Sequence, residues 1–453
     1  MKNLRKLFGT DGIRGVANKD LTAELALKAG KAGAKFLIAD GRKGKIIVGK
    51  DPRPSGDFIE SALVAGILSS GHDVLRTGII STPAVALLVK ILDLDGGIMI
   101  SASHNPLGDN GIKFFSKGGL KLTDEQEKNI EHYMMTIDGA DNSINPTGTN
   151  VGRCSDLNDA CDIYLNYIIE NFNIDLKGLK IAVDCANGSC SVIVPKALNK
   201  LGAEVLSFNT GVTGENINDN CGSTHPEHLQ KIVLKSRADI GFSYDGDGDR
   251  VIACDSKGRI LNGDVIMALC AIGMSKNGKL KNNYVVTTIM ANMGFDIAME
   301  QEGIKVYKTE VGDRYVLEKM LAEDCALGGE QSGHIIFKDL STTGDGLIST
   351  LEFLEMIINN NYNIDEIHKV IPEYPQILKN VKVKNKKEIM NCNYVKVKIA
   401  EIEEKLKGDG RIVVRPSGTE PVVRVMAEAK TLKMAEEAVD ELVVAIAECG
   451  NKS

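Results

Sequence analysis

An α/β architecture in several units is what this sequence predicts, and three observations predict it. Short β-branched runs alternate with longer stretches of helical period, the pattern of mostly parallel strands joined by helices. The 453 residues exceed what one core serves, and length alone suggests about three or four domains. Three strand-ending turns resemble one another, "IIVGKDPRPSG", "IAVDCANGSC" and "VVTTIMANMG", which suggests three similar α/β units.

The elements follow in order. In the first unit, residues 1–155, "KIIVGKD" is a strand and "FIESALVAGILSSG" a helix stopped by Gly71. "DVLRTG" and "GGIMIS" are further strands. The second unit, 156–255, repeats the theme with strand "LKIAVDCANGS", helix "VIVPKALNKLG", strand "EVLSF", helix "PEHLQKIVLKS" and strand "ADIGFSYDGDGDR". The third, 256–371, has "YVVTTIMANMG", strand "IKVYKTE", helix "DRYVLEKMLAED" and strand "CALGGEQSGHIIF". After Pro372 the texture changes to the charged run "KVKNKKE". Two helices then bracket the strands "RIVVRP" and "PVVRVMAEA", so 372–453 reads as a smaller α+β domain.

Composition narrows the function. With 43% hydrophobic and 25% charged residues, the chain is globular in character. A formal charge of −7 argues against tracking a nucleic-acid backbone. A small anionic substrate stays open, since local arginines can oppose the global sign. The basic start lacks the apolar stretch of a signal peptide, and no window reaches the apolar length of a membrane span. The ten cysteines are scattered without zinc spacing, so reduced thiols and a cytoplasmic location are expected.

The strongest chemical signal is "DGDGDR", Asp245 to Arg250. Carboxylates at alternate positions with glycines between can close around one hard cation, and oxygen ligands favour Mg²⁺ or Ca²⁺. An EF-hand is excluded, because its sixth position is Arg250 rather than Gly and its twelfth Ser256 rather than Glu. A solvated acidic turn is the plain alternative, and it sits badly with the apolar runs on either side. Arg250 suggests that an anion such as phosphate joins the site.

Ser103 follows the apolar strand "GGIMIS" by two residues, in the run "SASHNP". Acyl transfer would want a nucleophile elbow, which is absent. His104 adjoins Ser103, but neighbouring side chains on a strand-like turn are expected to point apart. A carboxylate metal site elsewhere favours phosphoryl chemistry, with Ser103 receiving and donating the group; a capped turn explains the run equally well. In "RPSGTEP", Ser417, Gly418 and Thr419 form a turn that could cradle an anion, with Arg415 and Arg424 closing on it, or an ordinary hairpin. "GEQSGH", Glu330 to Gly333 and His334, packs polar groups between glycines as polyol recognition needs. No Walker A sequence supports a nucleotide-dependent kinase.

These four motifs, in this order and at these separations, resemble the α-D-phosphohexomutase family. The likeness spans essentially the whole chain, including "LFGTDGIRG". "ISASHNPLGDNGIKFFS", "NCGSTHPEH", "VGDRYV" and "GGEQSGH" look like its bacterial branch acting on glucosamine phosphates. The alternative, the phosphomannomutase/phosphoglucomutase branch, usually has methionine where Gln331 stands.

The resemblance implies four domains around a central cleft, each giving one loop. It implies a phosphoserine at Ser103 that converts glucosamine 6-phosphate to the 1-phosphate through glucosamine 1,6-bisphosphate. Ser103, Asp245, Asp247 and Asp249 would hold one Mg²⁺. Lys113, ahead of His104, would be the acid/base, and Arg14 and Arg250 would neutralise charge. Glu330, Ser332 and His334 would read the sugar; Arg415, Ser417, Gly418, Thr419 and Arg424 would grip the phosphate that is not reacting. Glucosamine or glucose 1,6-bisphosphate would serve as activator. No nucleic acid and no membrane are implied as partners, and the branch suggests a homodimer. A phosphatase using the same serine, or a sugar-phosphate-binding protein without activity, are the rival readings.

Overall fold

The first sheet places the end of the strand before Ser103 near its centre. The computed structural model describes residues 7–9, 11–38, 42–137, 146–417 and 421–451. In that sheet Gly96–Ile100, Lys45–Lys50, Asp73–Ile79 and Cys154–Asp156 run parallel. Asp109–Ser116 and Ile13–Val16 are added antiparallel at one edge. Both faces are covered, which is why the strands read as continuous apolar runs rather than alternating ones. Ile46, Val48, Ile98 and Ile100 face one core, with Ile59 and Leu63 of the helix Gly56–Ser69, while Ile47 and Met99 face another.

The second core is shared. Met99 and Phe115 of the first unit belong to the same buried cluster as Phe242 of the second and Phe295 and Leu351 of the third. The second sheet orders Ile260–Leu261, Val251–Asp255, Ile240–Tyr244, Lys180–Asp184 and Glu204–Phe208. The third orders Lys305–Thr309, Tyr284–Thr288, Leu327–Gly329 and Ile335–Phe337. The expected α/β class with mixed sheets and a smaller C-terminal domain is therefore what the chain adopts.

Two local expectations change. "CALGGEQSGHIIF" is not one strand but two, Leu327–Gly329 and Ile335–Phe337, paired antiparallel. The polar residues between them have no place in a buried ladder, and they turn out of the sheet. The charged run "KVKNKKE" ends a strand, Gln376–Lys382, and starts a helix, Lys386–Asn391, capped by the Asn385 side chain. That strand lies at the edge of an antiparallel three-stranded sheet with Val422–Ala429 and Gly410–Pro416, where exposed charge is tolerated.

The C-terminal unit has a core of its own, including Val423, Val425, Val439 and Leu442. Polar contacts join it to the third unit. Buried Glu428 pairs with Arg411 at 2.8 Å and accepts from the Met293 amide at 3.0 Å, and Asn292 Nδ2 donates to the Tyr374 carbonyl at 2.9 Å. The expectation of ten reduced cysteines meets one exception here. Cys392, between two helices, and Cys449, near the end of Leu432–Asn451, are disulfide-bonded. The two positions are far apart in sequence and meet only when the last helix folds back. Among the described residues, no helix is long and apolar enough to cross a membrane.

Candidate active site

Loops from the carboxyl ends of strands meet where ligands of open α/β sheets usually bind. Ser103 follows Gly96–Ile100, and Asp245 follows Ile240–Tyr244. Ser103 Oγ donates to Asp245 Oδ2 at 2.6 Å, so residues 142 positions apart form one centre.

The loop holding Ser103 is shaped by a buried arginine. Arg53 is 1% exposed. It pairs with Asp51 at 2.9 Å and donates to the carbonyls of Ser103, Asn105, Pro106 and Asp109. Asp51 also accepts from Ser101 Oγ, which in turn accepts from the Ser103 amide at 2.9 Å. Sequence reading missed this clamp; its trace is the aspartate–arginine spacing in "KDPRPSG", directly after a strand. The clamp holds Ser103 at a φ of 53°, a left-handed conformation uncommon outside glycine. That conformation overturns the expectation that Ser103 and His104 point apart. Their Oγ and Nδ1 atoms lie 3.2 Å from each other.

The glycines between the three aspartates are explained by what surrounds them. A Cβ on Gly246 would lie 2.7 Å from the Ser103 carbonyl, and Gly248 has a φ of 75° with Cys190 Sγ 2.5 Å from where a Cβ would be. Compactness at that loop is therefore required on two sides. Asp247 is anchored from the first unit, because the helix Thr82–Ile91 begins on it: Thr82 donates to Asp247 through both its amide, at 2.9 Å, and its hydroxyl.

Asp245, Asp247 and Asp249 are all buried, each offering an oxygen within 4.8 Å of the others. Oδ1 of Asp247 and Oδ1 of Asp249 are buried without a hydrogen-bond partner among the described residues. Burial, then Asp249 and Asp247, push Asp245 well above the usual carboxylate range. Orphaned oxygens and mutual repulsion are both relieved by one cation, so the cluster fits a hard divalent metal.

Lys113 Nζ lies 2.7 Å from Asp247, 2.9 Å from Asp11 and 3.6 Å from Asp249. Burial opposes its charge, but Asp11, Asp247 and Asp249 outweigh it and hold the amine well above the ordinary lysine value. His104 is the opposite case: burial, then Arg250 and Arg14, lower it to about 4, so its ring is neutral. Arg250 Nη1 sits 3.2 Å from His104 Nδ1, and Arg14 pairs with Asp11 at 2.6 Å. A cavity of about 430 Å³ opens beside His104, bounded by Leu107, Ile217, Asn218 and His225.

The loop expected to read the sugar is the turn between the two short strands of the third sheet. Glu330 is half-buried, with Oε1 accepting from the Gly312 amide at 3.1 Å, and Ser332 is exposed. His334 is 2% exposed, its Nε2 3.3 Å from Asp313 and its ring against Gly344. Gln331 reaches the other way, to Gln376 of the C-terminal unit at 3.2 Å.

Arg415 and Arg424 face each other across the strands Gly410–Pro416 and Val422–Ala429. Like charges directly opposite are unfavourable, and burial followed by Arg424 lowers the Arg415 value. An anion between them would reverse that. Ser417 is buried next to them, while Gly418 and Thr419 lie outside the described residues.

The chain matches the phosphoglucomutase/phosphomannomutase alpha/beta/alpha domain I over residues 5–141, domain II over 162–258, domain III over 262–374 and the C-terminal domain over 378–445. It belongs to this family. Phosphoglucosamine mutases from Carboxydothermus hydrogenoformans and Bacillus cereus are 49% and 50% identical to it. Each match covers 97% of this chain, with 99% and 97% of the respective relative. Among solved structures, a phosphoglucomutase/phosphomannomutase family protein from Burkholderia thailandensis has a TM-score of 0.81 at 24% identity over 97% of both chains. N-acetylphosphoglucosamine mutase from Aspergillus fumigatus, in complex with GlcNAc-6P and magnesium, has a TM-score of 0.69 at 18% identity, covering 98% of this chain and 96% of that one. As a member of the family, this chain is a hexose-phosphate mutase, an isomerase that works by phosphoryl transfer.

Proposed function

We propose that the chain interconverts glucosamine 6-phosphate and glucosamine 1-phosphate through a phosphoserine at Ser103. The observation that carries the reading is Ser103 Oγ at 2.6 Å from Asp245 of the aspartate cluster, in a chain half identical to phosphoglucosamine mutases over 97% of its length. In the forward direction the phosphoryl group leaves Ser103 Oγ for the 1-hydroxyl of glucosamine 6-phosphate, and the bisphosphate forms. After the intermediate reorients, Ser103 Oγ takes the 6-phosphoryl group and releases glucosamine 1-phosphate. The product would supply amino-sugar nucleotide and cell-wall precursor synthesis.

Asp245, Asp247, Asp249 and a phosphoserine oxygen would hold one Mg²⁺ per chain, which supplies Lewis-acid stabilisation of the transferring group when bound. Lys113 carries a proton at Nζ to give, and neutral His104 offers Nδ1 to take one. Arg14 and Arg250 offset negative charge around the transfer. Arg415, Arg424 and Ser417, with Gly418 and Thr419, grip the phosphate that is not reacting. Glu330 and Ser332 read sugar hydroxyls, and His334 supports the loop from Asp313. We divide the chain at residues 155, 255 and 371, and place it in the cytoplasm as a homodimer, with glucosamine or glucose 1,6-bisphosphate as activator.

A coupled assay with glucosamine 6-phosphate, with and without a trace of the bisphosphate, tests the reading. Glucosamine 1-phosphate should form, faster with the bisphosphate, without inorganic phosphate in step. Stoichiometric phosphate release would indicate a phosphatase, and no turnover would indicate a binding protein.

Two variants probe the ends of the substrate. Arg415 should contact the phosphate alike in ground and transition states, so Arg415→Ala should raise KM by roughly tenfold or more, the loss of a charge-assisted contact of about 1.5–3 kcal/mol. A pure kcat effect would move Arg415 to the reacting centre. Glu330→Gln turns a charged acceptor into a weaker one and should lower kcat/KM for glucosamine and glucose phosphates by similar factors, on the order of tenfold. The two sugars share their 3- and 4-hydroxyls, and a loss confined to glucosamine would assign Glu330 to the 2-ammonium group instead.

A further inference from the structure

A row of buried and half-buried charges runs from the aspartate cluster to the loop proposed to read the sugar, and Lys121 stands in its middle. Asp247 pairs with Lys113 at 2.7 Å, Lys113 with Asp11 at 2.9 Å, and Asp11 with Lys121 at 2.8 Å. Lys121 continues to Asp313, whose carboxylate lies 3.3 Å from His334. The signs alternate along the row. It crosses the second, first and third units in turn, and Lys121 is 9% exposed at its side chain. In such surroundings a charge interacts with its neighbours far more strongly than on a wet surface.

Two backbone features put Lys121 there. The chain reverses after Asp109–Ser116, and Lys121 bridges back to Phe115 of that strand, which also carries Lys113. Asp313 opens the helix Asp313–Ala322, and the Gly312 amide just before it donates to Glu330. One hydrogen bond therefore joins the residue proposed to read the sugar to the turn that carries the partner of Lys121. The contacts are continuous from Glu330 through the Gly312–Asp313 turn to Lys121, and so to the carboxylate that holds Lys113.

We infer that Lys121 is a positioning residue, through which the seating of the sugar loop sets Asp11 and Lys113 for phosphoryl transfer. The inference rests on the roles proposed above for Ser103 and Glu330. The ion pairs of Lys121 run to Asp11 and Asp313, neither of which is among the residues assigned above to substrate or metal. Its effect should fall on kcat, because the geometry it fixes matters at the transfer step.

The interface supplies its own control. Arg314, next to Asp313, pairs with Asp124 and Glu127 of the first unit, fastening the same two units, and among the described residues it makes no ion pair with Asp11. The experiment measures kcat, KM and Tm for Lys121→Gln, Lys121→Arg, Asp313→Asn, the Lys121→Gln/Asp313→Asn double variant and Arg314→Gln. Lys121→Gln and Asp313→Asn should each lower kcat by about fivefold or more with KM within about threefold, and the double variant should be no worse than about threefold below the weaker single. Lys121→Arg should recover most of the rate, and Arg314→Gln should lower Tm with little change in kcat. Should Lys121→Gln not fold, Asp313→Asn and Lys121→Arg decide the matter by the same criteria.

Wild-type kcat in either single variant, additive losses, or an equal kcat loss in Arg314→Gln would overturn the inference. Those results with an active wild type leave the functional reading intact. An inactive wild-type chain would overturn that reading, and this inference with it.

Discussion

Ser103→Ala should abolish turnover while the protein remains folded. Ser103 is not a surface hydroxyl but is 1% exposed, with Oγ on Asp245. Removing it deletes one hydrogen bond to a carboxylate that keeps the Gly248 amide, at 3.1 Å, as a partner of its other oxygen. A cost of about 1–3 kcal/mol is expected, too little to unfold a chain whose cores remain intact. The chemistry has no comparable reserve, since Ser101, the other serine of that run, already has its hydroxyl on Asp51 and the Ser103 amide. Intact mass should show an added phosphate on the wild type and none on the variant. Wild-type-like turnover by Ser103→Ala would contradict the assignment.

The second large effect is expected at Asp247. Asn in its place keeps an acceptor for Thr82 but removes a negative charge from both the cation cage and Lys113. A group that offsets charge in the transition state is worth on the order of 10²–10³ in kcat, and a loss of that size is expected for Asp247→Asn with a much smaller change in KM. Raising Mg²⁺ should recover part of the rate, and chelation should silence the wild type. Full activity in excess chelator would show that the three aspartates do not serve a metal.

How far the sequence foretells this site depends on how local each feature is. The helix Pro226–Ser236 and the strand Glu204–Phe208 are legible to the residue, because period and punctuation lie within a few positions. The aspartates and Ser103 are legible as separate motifs, since each has an unusual local composition. That they meet is not a local fact: it depends on Asp247 docking on the helix at Thr82. The left-handed Ser103 is hidden for the same reason, being imposed by Arg53 from another loop. Lys121 and Asp313 look like ordinary surface charges in sequence, and only the packing of the first unit on the third buries them together. The strand Gln376–Lys382 escapes because an edge strand needs little apolar patterning.

Phosphoryl transfer through Ser103 is most directly tested by following the group itself. Enzyme carrying isotopically labelled phosphate on Ser103 is mixed with unlabelled glucosamine 6-phosphate and sampled within and beyond one turnover. The label should leave the protein for glucosamine 1,6-bisphosphate first, then appear in free hexosamine phosphate, with the serine phosphorylated again from the substrate. Label passing from Ser103 straight to inorganic phosphate, or staying on the protein while glucosamine 1-phosphate accumulates, would contradict a phosphoserine mutase.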